Sequence, residues 1–276
     1  MATSTTFARL ALGLALGLAL VIAGFAFALF PRAAEGAPNR SPELAPDAVA
    51  MAPVLLELFT SEGCSSCPRA DEKLEKLAKV GSFEGARLIV LAHHVDYWNE
   101  LGWPDPFSSE QSTARQRAYA TTARGMYTPE MVVDGQESRG SLGTNILSAA
   151  RRPHAGVSVS VGPIVGGEGD VTLTVGALPP GAAADAELVL AVVQDHATVH
   201  VPRGENAGRT LSHVAIARSL RVLGHVSRDG ARVGARVQLP SPIPPRAATT
   251  FSVVAFVQER GSRRVLGAAS SPLGPR

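Results

Sequence analysis

The rhythm of apolar and polar positions changes three times along the chain. From Leu10 to Phe30 the residues are apolar without a break, with Arg9 before the run and Arg32 after it. A helix of that length, at about 1.5 Å per residue, reaches about 31 Å, enough to cross a bilayer core. Ala33 to Pro53 then shows no period and is rich in Ala, Pro and charge, the composition of a tether. From Val54 to Arg152 short apolar runs alternate with helical stretches. Strands are predicted at Val54–Phe59 and Arg87–Ala92, and helices at Cys67–Val80, Ser109–Arg124 and Leu142–Ala150. A hairpin is predicted from Glu130–Asp134 through Gly135 to Gln136–Arg139. After Pro153 the period falls to two. Val157–Val161 and Val171–Val175 alternate strictly, and further strands are expected at Glu187–Gln194, Ala231–Leu239 and Phe251–Gln258. Only Val214–Leu223 in this half has a helical reading.

Strand, helix, strand, helix, hairpin, helix is the order of the thioredoxin fold, and a parallel β-α-β start obeys the right-handed crossover rule. The expected class is therefore an α/β thioredoxin-like domain at 54–152, followed by a small all-β sandwich-like domain at 153–276. A signal anchor or signal peptide takes 1–32 and a linker 33–53. The apolar run is longer than the 7–15 residues or so of a cleaved signal, and Ala34-Glu35-Gly36 is a marginal cleavage site, which favours an uncleaved anchor. The body of the chain is expected outside the cytoplasm, on the periplasmic side of an inner membrane or secreted after cleavage.

Charge removes one class of partner. The formal net charge is +2, no dense basic run exists, and the three lysines, Lys73, Lys76 and Lys79, mark one solvated helix face. Nucleic acid is not an expected partner. Two cysteines are too few for a disulfide framework in a chain of 276 residues. They matter locally, and export biases them towards oxidation.

Those two are Cys64 and Cys67, in FTSEGCSSCPRADEKLEKL. Two intervening residues put both sulfurs within one helical turn. At a helix start the first sulfur meets free N–H groups and the positive dipole end, which lower a thiol pKa from about 8.5. Cys64 is thus the expected exposed nucleophile and Cys67 the resolving thiol, with Pro68 suited to the first turn. The spacer Ser65-Ser66 is uncharged and favours neither extreme of potential. A zinc site would require a second pair of ligands, which the spacing does not supply. An inert local disulfide remains an alternative.

Parallel first and second strands would end on one sheet edge, and the oppositely directed third would begin there. That edge gathers Cys64, the block AHHVDYWNELGWPDPF (Ala92–Phe107) and Met126-Tyr127-Thr128-Pro129. A proline just before a central strand suggests a cis bond whose preceding backbone pairs with an extended substrate. Tyr127, Thr128, Pro129 and Trp98 are the candidate substrate-binding residues. Tyr97, Trp98 and Trp103 form an apolar wall or simply cap the core. His94 and Asp96 are placed to tune the thiolate or shuttle protons. Glu57, seven positions before Cys64, is either a buried carboxylate of raised pKa that takes the proton of Cys67, or a solvated one. No cofactor is expected. The alternative is copper held by Cys64, Cys67 and His94.

LELFTSEGCSSCPRAD, HVDYWNELGWPDPF, TARQRAYA and MYTPEMVVDG together resemble an exported bacterial family catalogued as domain of unknown function twelve twenty-three, assigned to the thioredoxin-like superfamily. The similarity continues through GENAGRTL, Gly204–Leu211. The resemblance implies the fold, a bacterial source, and equivalents of Cys64, Cys67 and the Thr128-Pro129 junction, but no established activity. The charged, Gly-rich segment Arg203–Arg209 reads as an ordinary loop between strands; the other reading folds it back on the thioredoxin-like groove as a specificity wall, with Arg209 raising the local potential near the thiolate. The functional expectation is an exported thiol–disulfide oxidoreductase acting on a disulfide-containing protein or small thiol. It would work with an unidentified redox partner and sit at the inner membrane through its N-terminal helix. The alternatives are a copper-binding or metallochaperone-like protein and a non-catalytic binding protein with a static bridge.

Overall fold

The computed structural model describes residues 51–120, 125–240 and 250–274. The apolar run Leu10–Phe30 and the tether up to residue 50 lie outside them. Among the described residues no helix is long and apolar enough to cross a membrane.

The architecture is α/β, a large mixed sheet with few helices. β1 (Ala52–Thr60) runs parallel to β3 (Ala86–His94) and antiparallel to β4 (Glu130–Val133). Between β1 and β3 lie α1 (Pro68–Val80) and the short β2 (Ser82–Phe83). Pro68 opens α1, where its missing N–H costs nothing, and Gly81 in the left-handed region closes it, donating its N–H to the Leu77 carbonyl at 2.9 Å. Leu58, Leu74, Ala92 and Val214 form the seam between α1 and the sheet. α2 (Glu110–Tyr119) follows β3, β5 (Gln136–Glu137) completes the hairpin with β4, and α3 (Leu142–Ala150) packs Ile146 and Ala149 beneath Val54 and Leu56. The expected order of elements up to Ala150 is present; residues 121–124 of the long second helix reading lie outside the described residues.

Beyond Arg152 the chain makes two contributions. β6 (Val157–Val161), β7 (Glu168–Val175) and β10 (Ala231–Gln238) form a separate three-stranded antiparallel sheet. β8 (Ala186–His200), β9 (Thr210–His225), β11 (Phe251–Glu259) and β12 (Val265–Pro272) join the first sheet, through β9 beside β3. Its order is β12-β11-β8-β9-β3-β1-β4-β5, with β2 on β3. Val214–Leu223, read as helical, is strand: Val214, Ile216 and Ala217 are buried where β9 lies between β8 and β3, so cross-strand pairing overrides a helix-compatible pattern.

The large sheet curls until Val265 N, at the start of β12, donates to Asp134 O between β4 and β5 at 3.0 Å. Leu188, Leu190 and Val192 of β8 face the small sheet, while Val189, Ala191 and Val193 face Leu55, Ile89 and Leu91 of β1 and β3. That two-sided burial explains why the first nine residues of β8 are buried without alternation. From Asp195 the pattern alternates, because there β8 and β9 leave the core as a hairpin arm directed at the cysteine turn.

Candidate functional site

The last residues of β1 deliver a tight turn. Cys64 N donates to Ser61 O and Cys67 N to Cys64 O, each at 3.2 Å, and the Ser61 hydroxyl accepts from Gly63 N at 3.1 Å. Cys67 is the N-cap of α1, its carbonyl accepting from Ala70 N and Asp71 N. Cys64 and Cys67 are joined by a disulfide, with Cα atoms 5.4 Å apart. Cys64 is only 1 % exposed and Cys67 is fully buried, whereas Ser65 and Ser66 lie open to solvent. The exposed sulfur expected at position 64 is therefore covered.

Trp98 links the turn to the proline segment. A Cβ on Gly63 would lie 3.1 Å from Trp98 Cβ, so the turn packs tightly on Trp98 and a larger residue there would require Trp98 to shift by a few tenths of an ångström. On its other side Trp98 Nε1 donates to the Thr128 hydroxyl at 2.8 Å, and the Thr128–Pro129 bond is cis. Gln116 Nε2 holds the Tyr127 carbonyl at 2.7 Å, and the Tyr127 hydroxyl donates to Glu137 at 3.0 Å. Tyr97 and Trp98 also pack on Phe59, Val95 and Val132, so the wall and the core cap are the same residues. Trp103 sits apart from them, its indole N–H donating to Glu62 at 2.6 Å. Asp96 turns to α2 and accepts from the Thr113 hydroxyl at 2.6 Å.

The register pairs Phe59 with His93 and Thr60 with His94, so the neighbouring histidines point to opposite faces. His94 lies on the α1 face. Its Nδ1 meets Asp105 at 2.7 Å, and its ring stands edge-on to His213, centroids 4.7 Å apart. His213 Nε2 meets Glu62 at 3.1 Å, and Asp71 accepts from the Thr60 hydroxyl at 3.1 Å. Asp71 is four residues after Cys67, on the same helix face. It also forms part of the wall of a cavity of about 150 Å³ between α1 and the start of β9. All five of these ionisable groups are buried, and among the described residues His94 Nε2 and His213 Nδ1 have no hydrogen-bond partner. Burial pushes the Asp71 carboxyl up, against the pull of His213 and His94. Burial works to lower His94, but the charge and hydrogen bond of Asp105, with Asp71 and Glu62, outweigh it and hold the imidazole above its usual value.

Glu57 corrects one expectation. It is buried, but it lies on the other face from Leu58 and α1, so it is not beneath Cys67. Arg115 Nε and Nη2 clamp its two oxygens at 2.7 and 3.0 Å, with His93 at 3.0 Å and the Tyr119 hydroxyl at 2.6 Å. Burial alone would raise its pKa; Arg115 and His93 reverse this and hold it well below the carboxylate range. Glu57 stays ionised and takes no proton near neutrality.

Segment 203–209 is the second correction. It is not an ordinary loop, because the β8–β9 arm lays it over the cysteine turn. Asn206, 1 % exposed, donates through Nδ2 to Glu62 O at 2.8 Å and to Cys64 O at 3.0 Å, and accepts from Arg209 Nη1 at 2.9 Å. Glu205 accepts from Ser65 N at 3.0 Å. Gly204, at φ 82°, fits against Trp103, where a Cβ would come within 3.1 Å of the indole's Cβ. Glu62, Asp71, Asp105, Asn206 and His213 are the residues local patterns did not single out. The density of charge in SEGCSSCPRAD and RGENAGR is the signal that points to some of them.

Among the described residues no three His, Cys, Asp or Glu are arranged to hold a metal ion. For the copper set of Cys64, Cys67 and His94, the two sulfurs are bonded to each other and His94 Nδ1 is held by Asp105.

A protein of Agrobacterium tumefaciens, AGR_C_4864, is similar in structure, with a TM-score of 0.55 and 27% identity, over 80% of this chain and 93% of that one. HBP35 of Porphyromonas gingivalis matches at a TM-score of 0.60 and 17% identity, over 81% of this chain and 76% of that one, a likeness of fold alone. No curated protein matches. The family model described as "Protein of unknown function (DUF1223)" matches residues 55–258, from within β1 to within β11, and the chain belongs to that family.

Proposed function

We propose that this protein is an exported thiol–disulfide oxidoreductase of thioredoxin type, tethered to the inner membrane by its apolar N-terminal run. One observation carries the reading: Trp98 ties the turn of a helix-opening Cys64–Cys67 disulfide to a cis Thr128–Pro129 junction. The order of elements from β1 to α3 supports a thioredoxin-like frame. In the reduced protein the Cys64 thiolate attacks a substrate disulfide, forming a mixed disulfide and expelling one substrate thiolate, which takes up a proton. Cys67 then attacks the Cys64 sulfur, restoring the internal disulfide and releasing the second substrate thiol. Two electrons pass to the substrate, and an external dithiol partner must resupply them. Tyr127, Thr128, Pro129 and Trp98 would hold an extended substrate, and His94 would buffer protons behind Cys67.

The burial of both cysteines supports a second reading, a binding protein with a static bridge. The reduction potential of the pair decides between them. Alkylation trapping in glutathione and dithiothreitol buffers is expected to give a value between about −120 and −270 mV. A value below about −300 mV would establish the static bridge.

A further inference from the structure

The arm that closes over the cysteine turn touches it at two points of different chemistry. Asn206 enters as a buried side chain whose amide binds the carbonyls of Glu62 and Cys64. Glu205 remains at the surface and places a carboxylate on the Ser65 N–H, the amide that directly follows Cys64. Arg209 and Gly204 fix this pair from within the loop, Arg209 by its bond to Asn206 and Gly204 by its seat on Trp103.

We propose that Glu205 and Asn206 are positioning residues for Cys64, Glu205 setting its acidity by charge and Asn206 keeping its sulfur covered. The inference deepens, and rests on, the thiol–disulfide reading. A thiolate at position 64 would draw stabilisation from nearby backbone N–H groups. The carboxylate of Glu205 takes one of these and adds a like charge beside the sulfur, which disfavours a second negative charge. Hydrogen bonds from Ser65, side chain and then backbone, hold the Glu205 carboxyl below its usual value, so it is ionised whenever Cys64 is. Glu205 therefore raises the Cys64 thiol pKa, and it lowers the reduction potential by disfavouring the reduced form. Other charges face the cysteine turn: Glu62 from the turn itself, Asp71 from α1, His94 and Asp105 from β3 and its loop, and His213 and Arg209 from the arm. None changes in a Glu205→Gln variant, which keeps an oxygen for the Ser65 N–H and removes only the charge.

The test uses the reduced full-length protein and follows iodoacetamide alkylation of Cys64 against pH. Glu205→Gln is expected to lower the alkylation pKa by about half a unit, as a partly screened charge at this range would. At a pH above the Cys64 pKa, where the reduced pair carries the thiolate, the equilibrium with glutathione should move about threefold towards the reduced form, about 15 mV. Unchanged pKa and potential would overturn the role of Glu205. Asn206→Ala removes two hydrogen bonds of the cover and should speed alkylation of the thiolate roughly tenfold at saturating pH. A rate equal to that of the unaltered protein, with circular dichroism showing a folded chain, would overturn the role of Asn206. A potential below about −300 mV in the unaltered protein would sink the oxidoreductase reading, while the pKa difference in Glu205→Gln would still decide this inference.

Discussion

On one face of β1 and β3 the carboxylate of Glu57 meets Arg115, His93 and Tyr119; at the cysteine end, on the face of α1, Glu62, Asp71 and Asp105 gather around His94 and His213. The charged groups of both networks are buried, and the networks differ in how completely they are satisfied. Around Glu57 the guanidinium is fully engaged: Arg115 also donates to Gln258, which donates to Glu187, and lies over the Phe256 ring, 4.9 Å from its centroid. That network ties β1, β3, α2, β8 and β11 together with its charges matched. At the cysteine end three carboxylates share two imidazoles, and two ring nitrogens have no partner among the described residues. Matched charge locks a structure, whereas a network with unpartnered ring nitrogens is less completely fixed.

The largest expected effect comes from breaking the matched side. Arg115→Leu leaves the Glu57 carboxylate buried without its main partner and should cost about 3–5 kcal/mol in urea denaturation. The potential of Cys64–Cys67 should not move; a shift there would erase the division between the networks. Next in size is His94→Gln. Because the folded pKa of His94 is raised, its stabilisation is complete below the ordinary imidazole value of 6.5 and is lost as pH climbs through the folded value. Denaturation midpoints between pH 5.5 and 9 should show about 1–3 kcal/mol lost at the acid end and little at the alkaline end. A loss independent of pH would mean that His94 acts only as packing. The smallest effect on stability belongs to Trp98→Phe, about 1 kcal/mol for the bond to Thr128. It should slow turnover of a protein disulfide severalfold at constant potential, and equal slowing with a small disulfide would refute a substrate-holding role.

Local pattern carried much of the fold. Alternation marked β6 and β7, and the apolar run with its cysteine pair and Pro68 marked the β1–α1 passage. It failed where burial is polar or partners are remote. α2 buries Ser112, Thr113, Arg115 and Gln116, so no apolar stripe announces which side faces inward. β9 has apolar residues at spacings a helix also allows, and only β3 and β8 decide in favour of strand. The candidate site divides likewise. Cys64, Cys67, Thr128 and Pro129 stand in recognisable strings, while Asn206 reaches the Cys64 carbonyl across 142 positions and His213 reaches Glu62 across 151. No period links residues so far apart.

The insertion of β9 beside β3 bears on how the chain can be divided. A fragment ending at Arg152 would strip β3 of β9, its neighbour on the side away from β1, and leave the apolar edge around Leu91 and Ala92 with unpaired amides and carbonyls. Such an edge is a template for pairing with another copy, and the fragment would trade a folded arm for aggregation. The half of the chain without cysteines thus closes the sheet edge of the half that has them.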